Sequence, residues 1–258
     1  MRNRLKWTLV LGTALAVVAA GAAIAAKPVV VTAGNLVVKL NGEVRPKALP
    51  KKKMAPITLT LSAALSTKDG SHPPAARFFE AEFDKNGTLN PKGLPVCKQG
   101  QLEARTTKAA EKACKGSIVG KGNAEAEVEF AESAPFKAKG PLVVFNGGKK
   151  GGSTLLLVHV YANVPAPTAF ITPVKVTKIK KGKYGNKVVG KIPVIAGGAG
   201  STIFFSVTNR KMFTYKGKKQ SYFLARCPTG KFFAQGAVKF SDGTRLKGTV
   251  IRPCTPKG

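Results

Sequence analysis

Most of the chain after residue 27 is written in a period of two. In Phe79-Glu80-Ala81-Glu82-Phe83-Asp84, the apolar Phe79, Ala81 and Phe83 fall on one face and the acids on the other. Glu125 to Phe130 repeats the pattern, with Ala126, Val128 and Phe130 inward and Glu125, Glu127 and Glu129 outward. Such alternation predicts half-buried strands, one face on a core and one in water. Further strands are predicted over 28–40, closed by an Asn41-Gly42 turn, and over 57–65, 170–180, 201–208, 220–227, 231–240 and 245–252. Thr154 to Ala162 is apolar on both faces and predicts a central strand. Turn-forming residues punctuate the pattern: Lys85-Asn86-Gly87, Asn146-Gly147-Gly148, Lys181-Gly182-Lys183, Gly197-Gly198-Ala199-Gly200 and Ser241-Asp242-Gly243.

One segment has a helical period. Thr107 supplies a cap, Ala109, Ala110, Ala113 and Cys114 form the buried side, and Gly116 marks the stop. The fold expected is mainly β: an antiparallel β-sandwich or an open, curved, barrel-like sheet with one short helix. The six acids on the two alternating strands repel along their outer faces unless something opposes them, and the best available partner is the Lys-rich second half of the chain. This argues for one domain over 27–258. The alternative is two β subdomains divided near 133–166, where Val164-Pro165-Ala166-Pro167 is the most linker-like point.

The first 26 residues follow a different logic. Arg2, Arg4 and Lys6 precede an apolar run from Trp7 to Ala26, and Ala23-Ile24-Ala25 suits cleavage. This is the layout of a secretory signal peptide; a retained Ala-rich membrane anchor is the alternative. Export makes the four cysteines disulfide candidates, with Cys97–Cys114 and Cys227–Cys254 the local pairing. A zinc site would need close pairs such as C-x-x-C, which are absent.

Charge narrows the picture further. The chain carries 43 Lys and Arg against 12 Asp and Glu, a formal charge of +31. Residues 133–258 hold 23 basic residues and one acid, Asp242. Nineteen of those 23 are Lys. Lys is a hydrated point charge, whereas Arg makes the forked contacts of specific phosphate or base reading. Loose attraction to a polyanion is therefore expected, not specific recognition of nucleic acid. Outside a cell the partner would be an anionic envelope polymer or a membrane surface. The alternative is a solubilising coat of Lys on a β protein. The polyanion-binding candidates are Lys211, Lys216, Lys218, Lys219, Arg226 and Lys231, which alternate with Phe213, Tyr215, Tyr222, Phe223, Phe232 and Phe233.

Catalytic chemistry is poorly represented. Asp69-Gly70-Ser71-His72 places three hydrolase residue types together, but triad members normally come from separate elements, and G-x-S-x-G is missing. His159 shares a strand face with Leu155, Leu157 and Tyr161 and reads as a packed core histidine. The glycines around Lys149 and Lys150 lack the Walker pattern, and the acids lack a complete calcium loop. No cofactor, metal or catalytic residue is indicated, and the oligomeric state is left open.

The stretches DGSHPPAARFFEAEFDKNGTLNPKGLPVC (69–97) and FSDGTRLKGTVIRPC (240–254) resemble an uncharacterised group of secreted proteins from high-GC actinobacteria. The resemblance runs through most of the mature chain and includes both cysteine pairs. It implies export and an envelope setting, and carries no functional residue. The expected role is a non-enzymatic, exported cationic β protein that associates with anionic envelope polymers. The alternatives are a carrier of an apolar or lipid ligand and a hydrolase using the 69–72 loop.

Overall fold

The alternating segments pair into one twelve-stranded antiparallel sheet. A computed structural model describes residues 27–131 and 133–258; the leader expected over 1–26 lies outside the described residues. The strands are β1 (Val29–Ala33), β2 (Leu36–Arg45), β3 (Thr58–Thr67), β4 (Ala76–Asp84), β5 (Ile118–Val128), β6 (Phe136–Lys150), β7 (Ser153–Ala162), β8 (Thr168–Lys181), β9 (Tyr184–Lys191), β10 (Gly200–Asn209), β11 (Lys231–Phe240) and β12 (Arg245–Pro253). Their order around the sheet is β1-β2-β3-β10-β5-β6-β7-β8-β9-β4-β11-β12. The sheet curls until β12 stands beside β1 and β2, which makes it a nearly closed barrel.

Side chains close the seam between the first and last strands. Arg252 on β12 donates from Nε to the Gly42 carbonyl (2.7 Å) and from Nη2 to Asn41 Oδ1 (2.9 Å) and the Lys27 carbonyl (3.3 Å). Gly248 completes the fit, because a Cβ there would lie 2.9 Å from Val31 and 3.1 Å from Leu40. Asn41-Gly42 is therefore not a turn. It lies inside β2 at the point that accepts Arg252, and the chain reverses instead at Gly34-Asn35.

Three other expectations need correction. The 220–227 segment is not a barrel strand; it splits into Lys218–Ser221 and Phe223–Ala225. Asn146-Gly147-Gly148 does not break the chain but runs within β6, opposite a register shift in β7. Phe130 lies beyond the end of β5 and is exposed. The helix, α1 (Thr107–Ala113), forms where expected, but the cap is Thr106, whose side chain accepts from the Ala109 N–H. Of the expected buried side, Ala110 and Cys114 are buried, while Ala109 is half-buried and Ala113 exposed. It packs outside the barrel, where Ala110, Leu102 and the Cys97–Cys114 disulfide cover Val143, Phe145 and Leu157. The second disulfide joins Cys227 to Cys254. Both bonds point to an oxidising, extracytoplasmic setting.

Because neighbouring strands are antiparallel, every connection leaves from one of two ends. At one end the connections 85–117 and 210–230 cross between distant strands, and they meet residues 46–57 in a small three-stranded sheet. Ala55–Pro56, Phe223–Ala225 and Gly87–Leu89 form it, and Tyr222, Leu49 and Phe223 are buried beneath it. At the other end the connections 68–75 and 192–199 cross the mouth.

The inner wall is largely apolar. Register places Leu61, Val207, Gly122 and Leu142 side by side on it, and Phe79, Ala81 and Phe83 opposite Gly190, Val188 and Asn186. Eight strands make a barrel that side chains just fill, so twelve enclose more room than Ala, Gly and Val occupy. Accordingly Leu61, Phe79, Phe83, Val158, Val188 and Phe205 point inward yet are only half-buried. The apolar contacts form separate clusters at the plugged end and the seam, with Phe79, Ala81, Phe83 and Val188 in neither. Part of the inner wall thus keeps some accessible surface.

Candidate functional site: a basic barrel end

Three of the six acids find cations from the Lys-rich half, while buried Asp84 accepts from Asn86 and the Phe233 N–H, and Glu127 and Glu129 face His72. Glu80 meets Lys187 (3.0 Å) and Arg245; Glu82 meets Lys181 (3.2 Å); Glu125 sits between Lys137 (3.5 Å) and Lys139 (3.4 Å). Every one of these partners comes from the second half of the chain. The hydrogen bond from Lys187, with the charge of Arg245, holds the Glu80 carboxyl below its ordinary pKa. Those cations are paired on the wall, where exposed Lys175, Lys178, Lys191, Lys239 and Lys247 join no ion pair among the described residues; the densest group of loop cations lies elsewhere.

It lies at the plugged end. The connections there (46–57, 85–117, 151–152, 182–183 and 210–230) and the tail 254–258 carry 19 Lys and Arg and only two acids, Glu103 and Glu111. Glu111 is engaged by Lys121 at 2.6 Å. The described residues of the connections at the opposite end (34–35, 68–75, 129–131, 133–135, 163–167, 192–199 and 241–244) carry one basic residue, Lys68, and three acids, Asp69, Glu129 and Asp242. The fold thus turns an uneven charge along the sequence into an axis, strongly positive at one end and weakly negative at the other.

Within that end the six sequence candidates separate by role. Lys211, Lys216, Lys218 and Lys219 belong to a protruding hairpin, Met212–Tyr215 paired with Lys218–Ser221, and Lys216-Gly217 forms its turn with φ of 50° and 71°. Lys231 opens β11 and is exposed. Arg226 differs: its Nε donates to Asn86 Oδ1 (3.0 Å) and its Nη1 to the Lys52 carbonyl (3.4 Å), so it ties the plug together. Lys51, Lys52 and Lys53 join the same exposed end from a connector far away in sequence. An open depression of about 460 Å³ lies at the hairpin's base, lined by Lys115, Lys121, Arg210, Lys211 and Thr208.

The aromatic residues interleaved with these cations do not form a stacking platform. Tyr222 is fully buried and its hydroxyl donates to Asn146 Oδ1 (3.2 Å); burial pushes its pKa up. Phe223 lies edge-on to it at 5.0 Å. Phe213 packs against the same core, and Tyr215 covers Gly93. Lys183 lies 4.5 Å over the Phe233 ring. What remains exposed is chiefly Lys, a surface able to attract anions without reading their sequence.

The opposite mouth holds the other sequence candidates. Asp69 accepts from Asn35 Nδ2 (2.8 Å), Ser71 Oγ (2.7 Å) and the Ser71 N–H (3.0 Å), which lowers its pKa well below the carboxylate range, the Asn35 bond most of all. His72 turns away from that cluster. Its Nδ1 meets Glu127 Oε1 at 3.0 Å and its Nε2 meets Ser201 Oγ at 3.3 Å. The order Glu–His–Ser is that of a charge relay, but Ser201 is buried and its hydroxyl donates to the Pro73 carbonyl. With that proton committed, the three residues tie the 68–75 crossing to β5 and β10. His159 is fully buried on the outer wall, with Nε2 3.0 Å from the Arg105 carbonyl, and burial lowers its pKa.

Among the described residues no group of three or more His, Cys, Asp or Glu is placed to hold a metal ion. No helix among them is long and apolar enough to cross a membrane. Comparison with known proteins finds no family model, curated protein or solved structure that matches the chain.

Proposed function

We propose that this is an exported, non-enzymatic cationic barrel that docks by its plugged end on an anionic polymer or membrane surface of the cell envelope. The observation that carries the reading is the division of charge between the two ends. A merely solubilising coat would be even between the two ends, whereas here the connections of one end hold nearly all the loop cations, with exposed Lys39, Lys175, Lys178, Lys191, Lys239 and Lys247 on the wall between the ends. Lys in place of Arg, and rings turned into the core, favour a delocalised anionic surface over specific nucleic acid. Binding to vesicles containing phosphatidylglycerol, and to soluble polyphosphate, tests this. Each anion contact contributes roughly 0.7–0.9 to the slope of log K against log salt. Replacing Lys211, Lys216, Lys218 and Lys219 by Gln is expected to lower that slope by about 3 while the fold is kept. Binding that is insensitive to salt sinks the proposal.

A second reading, a carrier of an apolar or lipid ligand, is favoured by the half-buried inner wall. Native mass spectrometry of the purified protein should then find a lipid-sized adduct.

A further inference from the structure

One cation in the barrel is out of place. Arg77 stands on β4 between Ala76, which is buried in the seam cluster, and inward-facing Phe79. It belongs to neither the basic end nor the outer-wall ion pairs. Its backbone carbonyl accepts from the Ile192 N–H, where the 192–199 connection begins to cross the mouth. Its guanidinium reaches toward that crossing: a Cβ on Gly198 would lie 3.9 Å from Nη2. Nη1 is buried without a hydrogen-bond partner among the described residues, and Arg77 takes part in no ion pair among them.

A buried guanidinium nitrogen with no acceptor is costly, and removing such groups usually raises stability. Its presence calls for an anion at that position. The surroundings define what carries the anion. Leu36, Val38, Phe240 and Leu246 lie at this end of the barrel, and the half-buried wall of Phe79, Phe83, Val188 and Phe205 continues beyond them. A small inorganic anion would leave that wall unused, and a neutral hydrocarbon would leave the guanidinium unmet.

We propose that the barrel binds an anionic amphiphile, with its head on Arg77 under the 192–199 crossing and its single apolar tail along the inner wall. The proposal rests on the carrier reading and adds to it a head-group chemistry and an orientation. Guanidinium meets a carboxylate or a phosphate oxygen equally well, so either head fits. The tail would point from the weakly acidic mouth toward the plug.

Oleate and oleyl alcohol, identical in chain, make the test, with inorganic phosphate as the tail-less arm. Binding is measured by calorimetry on the wild-type protein and on Arg77→Met and Arg77→Lys. The wild type is expected to prefer oleate over the alcohol by about 10- to 100-fold, the worth of a charge-assisted hydrogen bond. Arg77→Met should abolish that preference and leave alcohol binding unchanged, while Arg77→Lys keeps part of it. Without ligand, Arg77→Met should also melt higher, because the buried N–H group without a partner among the described residues, at Nη1 of the half-buried Arg77, is gone. Equal binding of oleate and alcohol, a preference that survives Arg77→Met, or phosphate binding as well as oleate overturns the Arg77 assignment while leaving an apolar lumen standing. No binding of either chain sinks the carrier reading itself.

Discussion

Arg252 offers the sharpest test of how the barrel closes. Strand ladders join eleven neighbouring pairs, and the twelfth junction depends on this side chain and on the fit of Val31 and Leu40 against Gly248. Two of its three bonds across the seam, to Gly42 and Asn41, are partly buried, and the third, to Lys27, is exposed. Burial lowers its pKa, but a guanidinium remains charged at any ordinary pH. Hydrogen bonds involving a charged group are each worth about 1.5–3 kcal/mol, and water replaces part of that at a half-exposed site. Arg252→Ala is therefore expected to cost about 2–4 kcal/mol. For a chain of this size that lowers the melting temperature by roughly 5–15 °C. Arg252→Lys should recover less than half, since an ammonium cannot reach Gly42 and Asn41 together. Urea unfolding gives the energy, and amide exchange over Val29–Ala33 and Arg245–Pro253 gives the location. A loss below about 0.5 kcal/mol, with exchange at those strands unchanged, would show that apolar packing alone holds the seam.

Two further outcomes follow from the wall and the plug. The depressed pKa of Glu80 means that its ionised form stabilises the fold above the ordinary Glu pKa near 4.5, and that this contribution fades as pH falls through the lower folded-state value. Stability measured against pH should drop more gently on acidification in Glu80→Gln than in the wild type; parallel curves would contradict the assignment. Replacing Cys227 and Cys254 together by Ser should cost roughly 3–4 kcal/mol, from a 27-residue separation in the loop-entropy model. Calorimetric melting of the double variant checks it, and an unchanged melting temperature would place the plug's stability elsewhere.

Strands were readable wherever alternation was clean, as in Phe79–Asp84 and Glu125–Val128, or where a short run was apolar on both faces, as in Thr154–Ala162. Even the need for Lys partners opposite the acids could be argued from like-charge repulsion. Strands interrupted by glycine escaped, because glycine in this barrel serves close approach. Gly190 lies in β9 under the Phe79 ring, where a Cβ would be 2.5 Å from an aromatic carbon, so a sequence that reads as irregular is a strand shaped around its neighbour. Asn146 and the two glycines after it read as a turn for a similar reason: Asn146 Oδ1 accepts from the Gly148 N–H inside the strand. The basic end was only half-visible. The Lys211–Lys219 hairpin stands out locally, but its union with Lys51–Lys53 depends on which connections leave from the same end. Arg77 gave no signal at all, being one cation in an apolar segment until the crossing over the mouth encloses it.

The order of the strands also governs when the barrel can come into being. β3 lies between β2 and β10, and β4 between β9 and β11, so β4 has no neighbour until residues 184–240 are available. An emerging N-terminal half therefore has a hairpin and one added strand, but no wall to join. Pairing that spans such distances is slow, because loop closure must precede the contacts that reward it. The barrel stays open until β12 can reach β1 and β2, and a piece truncated before β10 would have no barrel to fall back on.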